Sequence, residues 1–167
     1  DKKAKVHAIN ADGTQNIADA CKKIDAKMVY ISTDYVFDGQ GTTPWQPDCK
    51  DYAPLNVYGQ TKLDGELAVA NTLEKYFIVR IAWVFGVNGK NFIKTMLNVG
   101  KTHDRLTVVS DQIGTPTYAR DLARAIFTAI YKGVVPGVYH FSDEGVCSWY
   151  DFTKAIHRIA GITTCKV

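Results

Sequence analysis

A chain of 167 residues that is 46% hydrophobic and 22% charged has the size and balance of one ordinary globular domain and can bury a core. The formal charge of +3, from 20 Lys and Arg against 17 Asp and Glu, is small and scattered, which argues against a nucleic-acid partner. No apolar run approaches the ~18 residues of a membrane span and no signal peptide opens the chain, so no membrane partner and a cytoplasmic location are expected. The four cysteines form no C-x-x-C pair and are read as reduced thiols, and the four dispersed histidines suggest no metal site.

In chain order, residues from about Val6 to Lys23 have helical periodicity, with Ile17, Ala20, Cys21 and Ile24 at three- and four-residue spacing. Lys27 to Ser32 is a short apolar run rich in β-branched residues, as in a strand buried on both faces of a parallel sheet. A long segment from Asp34 to Asn56 follows, with Gly39, Gly41, Pro44, Pro47 and Pro54; irregular segments of this length usually carry function. Val57 to Leu73 is helical by composition and Tyr76 to Ile81 reads as a second buried strand. Asn91 to Val99 reads as a helix, Leu106 to Val109 as a short strand and Ala119 to Tyr131 as a helix. Gly137 to Phe141 reads as a strand, and Ser148 to Ile159 as a helix that Ser148 caps. Alternating strands and helices predict an α/β fold with a largely parallel sheet, and no linker-like shift in composition splits the chain.

Three segments concentrate the chemistry. Ser32-Thr33-Asp34-Tyr35 ends the first strand, where ligands of open α/β sheets bind. Tyr58-Gly59-Gln60-Thr61-Lys62 starts the helix after the long segment, and Trp83-Val84-Phe85-Gly86 follows the second strand. Tyr58 and Lys62 share one helix face, and a cation beside a phenol favours phenolate and lowers its pKa. A phenol tuned in this way can pass a proton to a substrate oxygen that Thr33 also hydrogen-bonds. Carbonyl reduction needs those parts and a cofactor to supply hydride. By itself Tyr-x-x-x-Lys is weak, since an exposed pair on any helix has the same spacing.

Several stretches together resemble the dTDP-4-dehydrorhamnose reductases, within the extended short-chain dehydrogenase/reductase family. They are Ser32 to Gly39, Pro54 to Glu66, Arg80 to Gly86, Asn91 to Met96 and Ser110 to Thr117, in the family's order over about Asn10 to Phe152. The resemblance implies a Rossmann-like, mostly parallel sheet flanked by helices. It makes residues 1–167 a single α/β domain, the catalytic half of such a reductase with part of its substrate-binding region. It implies that Tyr58 donates a proton to the sugar's C4 ketone, that Lys62 holds the nicotinamide ribose and lowers the Tyr58 pKa, and that Thr33 bonds the substrate oxygen. Ser32 joins Tyr58 and Lys62 on the cofactor side; Thr33, Asp34, Tyr35, Trp83 and Asn91 line the substrate side. The implied cofactor is NADPH or NADH, the implied partners are a dTDP-sugar and, at most, a second copy in a homodimer, and the product is dTDP-L-rhamnose.

The family opens with a strand and a glycine-rich pyrophosphate loop. No G-x-x-G-x-x-G precedes the first helix here, and Gly13 lies inside a helical pattern, so the N-terminal dinucleotide-binding βαβ units are expected to be lacking. The chain is therefore expected to be a piece of a longer protein and to be inactive alone. Other readings stay open residue by residue. Trp83 and Tyr35 also read as core aromatics, Asp34 as a turn cap, Trp45 as packing, and Asp111 and Gln112 as turn formers before Gly114. Sugar-nucleotide dehydratases carry a glutamate where Tyr35 stands, which argues against elimination; 4-epimerases differ at the residues after the strand. A non-catalytic reading is a regulatory subunit resembling that of methionine adenosyltransferase, which shares Tyr-x-x-x-Lys but has serine at the Thr33 position.

Overall fold

The computed structural model describes residues 2–167. In chain order the elements are α1 (Lys2–His7), a π-helical turn (Ala8–Asp12), α2 (Gly13–Lys23), β1 (Met28–Thr33), a 3-10 turn (Asp34–Val36), α3 (Val57–Thr72) and β2 (Tyr76–Ile81). They continue with β3 (Val84–Phe85), α4 (Phe92–Thr102), β4 (Ile113–Gly114), β5 (Thr117–Tyr118), α5 (Ala119–Tyr131), β6 (Gly137–His140), β7 (Cys147–Ser148) and α6 (Trp149–Ile159). The expected α/β class with a parallel sheet is what is found. The chain forms two compact units: residues up to Ile81 with Tyr131–Phe141, and Ala82–Ile130 with Ser142–Val167. No shift in composition marks these boundaries, which is why the sequence reads as undivided.

In the first unit, β2 lies between β1 and β6 and pairs parallel with both. Its interior residues, Phe77 to Arg80, are all buried, which explains the unbroken apolar run around a single charge. Ala18, Met28, Tyr30, Val69, Leu73 and Ile78 make the core of this unit. Each fully buried aliphatic side chain there, such as Ile78, contributes roughly 1.5–3 kcal/mol. Helix α3 buries residues on several faces (Gly59, Thr61, Leu63, Gly65, Glu66 and Val69) rather than a single stripe. It is enclosed because α2, the π-helical turn, β1 and the 3-10 turn all pack against it.

Two expectations for the first unit change. The helix predicted from Val6 to Lys23 is one helical path with a wide π turn inside it, closed by a bond from the Gly13 N–H to the Ala8 carbonyl. Its apolar stripe is not the buried face: Ile17 is 57% and Ile24 76% exposed, whereas Thr14 and Ala18 are buried. The long segment after β1 is also less irregular than expected. Ala53 N–H bonds back to the Val36 carbonyl, and Val36 and Phe37 pack with Leu63, Trp45, Cys49 and Tyr52.

In the second unit, β3 pairs parallel with β5 and β4 antiparallel with β7. Helices α4 and α6 pack closely enough that a Cβ on Gly100 would lie 2.5 Å from the His157 ring. The Ser148 cap is present as expected: its hydroxyl oxygen accepts from Asp151 N–H and the Asp151 carboxylate accepts from Ser148 N–H. The strand expected at Leu106 to Val109 does not form. That segment makes single bonds, Leu106 N–H to Lys166 and Tyr150 N–H to Val109, and no neighbouring strand offers a ladder.

Helix α3 packs closely at Gly65, where a side-chain carbon would overlap the Tyr30 hydroxyl and lie 2.6 Å from the Asn10 carbonyl. Gly65→Ala is expected to lower unfolding free energy by about 1–3 kcal/mol, the usual cost of overpacking. Urea denaturation measures it, and adding Tyr30→Phe should recover part of the loss. An unchanged midpoint would show that α3 does not sit so close to β1 and the π turn.

Candidate functional site

The site is built where β1 ends and α3 begins. Leaving the strand, Thr33 keeps extended geometry and caps the 3-10 turn, its hydroxyl oxygen accepting from Tyr35 N–H at 3.2 Å. The same hydroxyl donates to the Asp34 carboxylate at 2.9 Å. At the other end of the long segment, Asn56 caps α3 by accepting from Gly59 N–H at 2.8 Å. Gly59 abuts the Tyr35 carbonyl so tightly that no Cβ fits there. Glycine therefore lets the first turn of α3 lie on the 3-10 turn. The Tyr35 and Tyr58 rings meet edge-to-face as a result, with centroids 6.0 Å apart and planes at 80°. Thr33 is buried, while Tyr58 and Tyr35 are about half exposed.

These surroundings set the protonation of Tyr58. Burial is the largest influence and pushes the phenol above its ordinary 10.0, with Asp34 and Tyr35 adding to the rise, while the Thr33 side chain pulls it down. Thr33 has one hydroxyl proton, which faces Asp34 here; turned toward Tyr58 it favours phenolate. Burial likewise raises the Asp34 carboxyl, against hydrogen bonds from Thr33 and the backbone.

Lys62 follows Tyr58 by one turn, but its ammonium sits 3.9 Å from the centroid of the Tyr30 ring. The expected lowering of Tyr58 by Lys62 is therefore corrected: the phenol is raised, and Lys62 does not figure among its influences. Spacing puts the two side chains on one face, yet the aromatic face of Tyr30 on β1 takes up the cation. Burial lowers the Lys62 amine, and Glu66 works in the opposite direction. Burial also pushes the Tyr30 phenol up to about 12. The Tyr30 hydroxyl reaches the Lys62 and Asn10 carbonyls at 3.3 and 3.4 Å, and Asn10 Nδ2 donates to Thr61 at 3.1 Å. Ser32, two residues beyond Tyr30 on β1, is 2% exposed and its hydroxyl has no partner among the described residues.

Behind the site lies a buried ion pair. Arg80, in the middle of the sheet on β2, donates from Nε to Glu66 Oε1 at 2.9 Å and from Nη2 to Oε2 at 2.6 Å. The two side chains are 2% and 3% exposed. Arg80 also donates to Tyr52 Oη at 3.1 Å and lies over the Phe37 and Tyr52 rings. Its Nη1 reaches His140 Nε2 at 3.4 Å, and His140 Nδ1 meets the Trp45 carbonyl at 3.1 Å. Burial, then the charge of Arg80, lowers the His140 imidazole. Trp45 stacks on Phe37 at 4.5 Å, in the packing role expected for it.

Five of the expected site residues, Ser32, Thr33, Asp34, Tyr35 and Tyr58, thus gather with Lys62 in one unit. Trp83 and Asn91 belong to the other. There Trp83 stacks on Trp149 at 3.5 Å and adopts positive φ (51°) with Gly114 against its ring. Asn91 caps α4 by accepting from Lys94 N–H, and it donates to the Gly86 carbonyl at 2.8 Å. Asn91 also borders a cleft of about 540 Å³ with Lys90, Tyr118 and Arg120. Asn10, Tyr30, Glu66 and Arg80 were not singled out from sequence. Arg80 had a signal, since a charge in the middle of an apolar strand needs a buried partner. Nothing in the sequence marks Asn10, whose carbonyl is presented by the π turn. Among the described residues no group of His, Cys, Asp and Glu could hold a metal ion, and no helix is long and apolar enough to cross a membrane.

Comparison with known proteins gives these residues a context. The family described as RmlD substrate binding domain matches residues 1–167. The spore coat polysaccharide biosynthesis protein SpsK of Bacillus subtilis is 43% identical over 160 residues, which is 96% of this chain and 56% of that protein. The dTDP-4-dehydrorhamnose reductase of Escherichia coli K12 is 43% identical over 161 residues, covering 92% of this chain and 54% of the enzyme. A crystal structure of a dTDP-4-dehydrorhamnose reductase from Clostridium acetobutylicum superposes with a TM-score of 0.94 at 45% identity, over 99% of this chain and 58% of that one. The dTDP-4-dehydrorhamnose reductase of Bacillus anthracis, solved in complex with NADP, gives a TM-score of 0.89 at 41% identity, over 99% of this chain and 59% of the other. The chain spans a little over half the length of the relatives it matches. On this likeness across its whole length, the chain belongs to the RmlD substrate binding domain family.

Proposed function

We propose that this chain is the catalytic half, with part of the substrate-binding region, of an NADPH- or NADH-dependent reductase. It reduces the C4 ketone of dTDP-4-dehydro-L-rhamnose to give dTDP-L-rhamnose. The observation that carries this reading is the Thr33 side chain acting on the Tyr58 phenol where β1 ends and α3 begins, with Lys62 one helical turn further on, in a chain about 40% identical to reductases of that name.

The residues present fit the nicotinamide-ribose end of such a cofactor. Ser32 has a buried hydroxyl with no partner among the described residues, and Lys62 makes no ion pair among them. A ribose hydroxyl suits both groups. The pyrophosphate end has no glycine-rich cradle in these residues, since Gly13 continues a helical path. The bound cofactor supplies the hydride that carbonyl carbon takes up.

Tyr58 supplies the proton. A phenol held above 10.0 is fully protonated near neutral pH and so is loaded as an acid. As the ketone is reduced, charge develops on its oxygen; the Tyr58 O–H bond breaks and an O–H bond forms on the sugar. The Thr33 hydroxyl, turned from Asp34, stabilises the phenolate that is left. Lys62 orients the ribose and keeps a positive charge one helical turn away.

Tyr58→Phe in the full-length protein should lower kcat for NADPH oxidation with the 4-dehydro sugar by about 10²–10⁴-fold while leaving KM nearly unchanged. Retention of kcat would remove Tyr58 from the chemistry. An intact protein that oxidises no NADPH yet binds a methionine adenosyltransferase tightly would favour the regulatory reading. A second expectation concerns pH. The phenolate absorbance lost in Tyr58→Phe should titrate with a midpoint above 10.0, and Thr33→Val should move that midpoint higher by removing the group that pulls it down. A midpoint that falls, or stays in place, would contradict the role given to Thr33.

A further inference from the structure

We propose that Arg80 is a positioning residue for Lys62: by occupying both oxygens of Glu66, it keeps that carboxylate from capturing the Lys62 ammonium. The proposal rests on the reading of Tyr58 and Lys62 given above.

Tyr58, Lys62 and Glu66 follow one another at four-residue intervals on α3, so they share one face of the helix. At that spacing a lysine and a glutamate attract each other, and the attraction strengthens out of water. Glu66 is 3% exposed, and a buried carboxylate requires a counter-charge. Two cations are close enough to compete: Lys62 from its own helix and Arg80 from β2. Arg80 takes the carboxylate because its planar fork meets both oxygens at once, at 2.9 and 2.6 Å. The fork is itself held by Tyr52 Oη and flanked by the Phe37 and Tyr52 rings. Lys62, left without a carboxylate, rests on the Tyr30 face.

The charged and titratable groups around this junction come from every element packed there. They are Tyr58, Asp64 and Glu66 on α3, Tyr30 on β1, Asp34 and Tyr35 in the 3-10 turn, Arg80 on β2, His140 on β6 and Tyr52 in the segment before α3. Among them, Glu66 is the group that pulls the Lys62 amine upward, against burial. Without Arg80, Glu66 turns its full charge to Lys62. The ammonium then moves away from Tyr58, toward the C-terminal end of α3, and holds its proton more tightly.

The test is the titration of Lys62, followed by NMR in the full-length protein with isotope-labelled lysine. Arg80→Met should shift the Lys62 midpoint upward, and the paired variant Glu66→Met with Arg80→Met should bring it back down. NADPH affinity should weaken about tenfold in Arg80→Met, the scale of one charge-assisted hydrogen bond, and recover in the pair. If Arg80→Met does not fold, Arg80→Lys serves: a compact ammonium cannot span both oxygens, so a smaller upward shift is expected. An unmoved or lowered midpoint in the folded single variant overturns the proposal. A loss of packing that exposed Lys62 to water would also raise the midpoint but would persist in the paired variant, so failure of the pair to bring it back down overturns the proposal as well. The titration needs no turnover, so it decides the positioning role even where Tyr58→Phe shows that the chemistry lies elsewhere.

Discussion

The structure of the first unit depends on one ion pair that has left water. Glu66 sits on the helix that carries Tyr58 and Lys62, and Arg80 sits on the central strand. Together they bond α3 to the sheet through two short charged hydrogen bonds. Such a pair contributes little to stability against an apolar replacement, because both charges must be desolvated. Breaking it by removing one partner is costly, about 3–5 kcal/mol, because the other charge is stranded. What the pair provides is uniqueness of position. An apolar contact tolerates a small slide of the helix along the sheet; a fork meeting two oxygens does not.

The same arginine also orders the segment that separates the two halves of the site. Tyr52 Oη accepts at its edge, Phe37 and Tyr52 cover its faces, and His140 links it to the Trp45 carbonyl. The segment's ends are tied separately, by the Thr33 cap at one side and the Asn56 cap at the other. A long irregular stretch therefore behaves as a scaffold. Its two ends must meet for Thr33 and Tyr58 to share a site, and the close approach of Gly59 to the Tyr35 carbonyl is where they do.

Much of this was legible in the sequence. Period or composition gave β2, α3 and α5 nearly to the residue: α5 has a clear apolar stripe, β2 a short apolar run, and α3 helix-forming residues between clear ends. Ser148 was readable as a cap because hydroxyl side chains before a helix bond its first N–H groups. The gathering of Thr33, Asp34 and Tyr58 followed from a strand end and a helix start. Other features were not legible. The π turn at Ala8–Asp12 has no distinctive composition, so it reads as ordinary helix. Ile17 and Ile24 are apolar at the right spacing but exposed, because the enclosing contacts of α2 are made through small residues such as Ala18. The partner of Lys62 was misjudged because spacing along a helix says nothing about what the neighbouring strand offers, and Tyr30 offers an aromatic face.

That last difference changes the logic of the proton donor proposed here. Lowering a phenol with a nearby cation makes it a better acid but also empties it as pH rises toward its pKa. Here burial and the neighbouring Asp34 act in the opposite direction and keep the proton on Tyr58. The proposed reduction would create an alkoxide, whose demand for a proton far exceeds what any phenol resists, so the proposed donor would gain little from being more acidic and much from being loaded. The acidity that matters is the one reached during reaction, when the Thr33 hydroxyl can turn to the new phenolate. On this view Lys62 is less a tuner of Tyr58 than a fixed cation for the cofactor side. Its value then depends on staying where Tyr30 holds it, which is why the carboxylate one turn further along α3 has to be occupied.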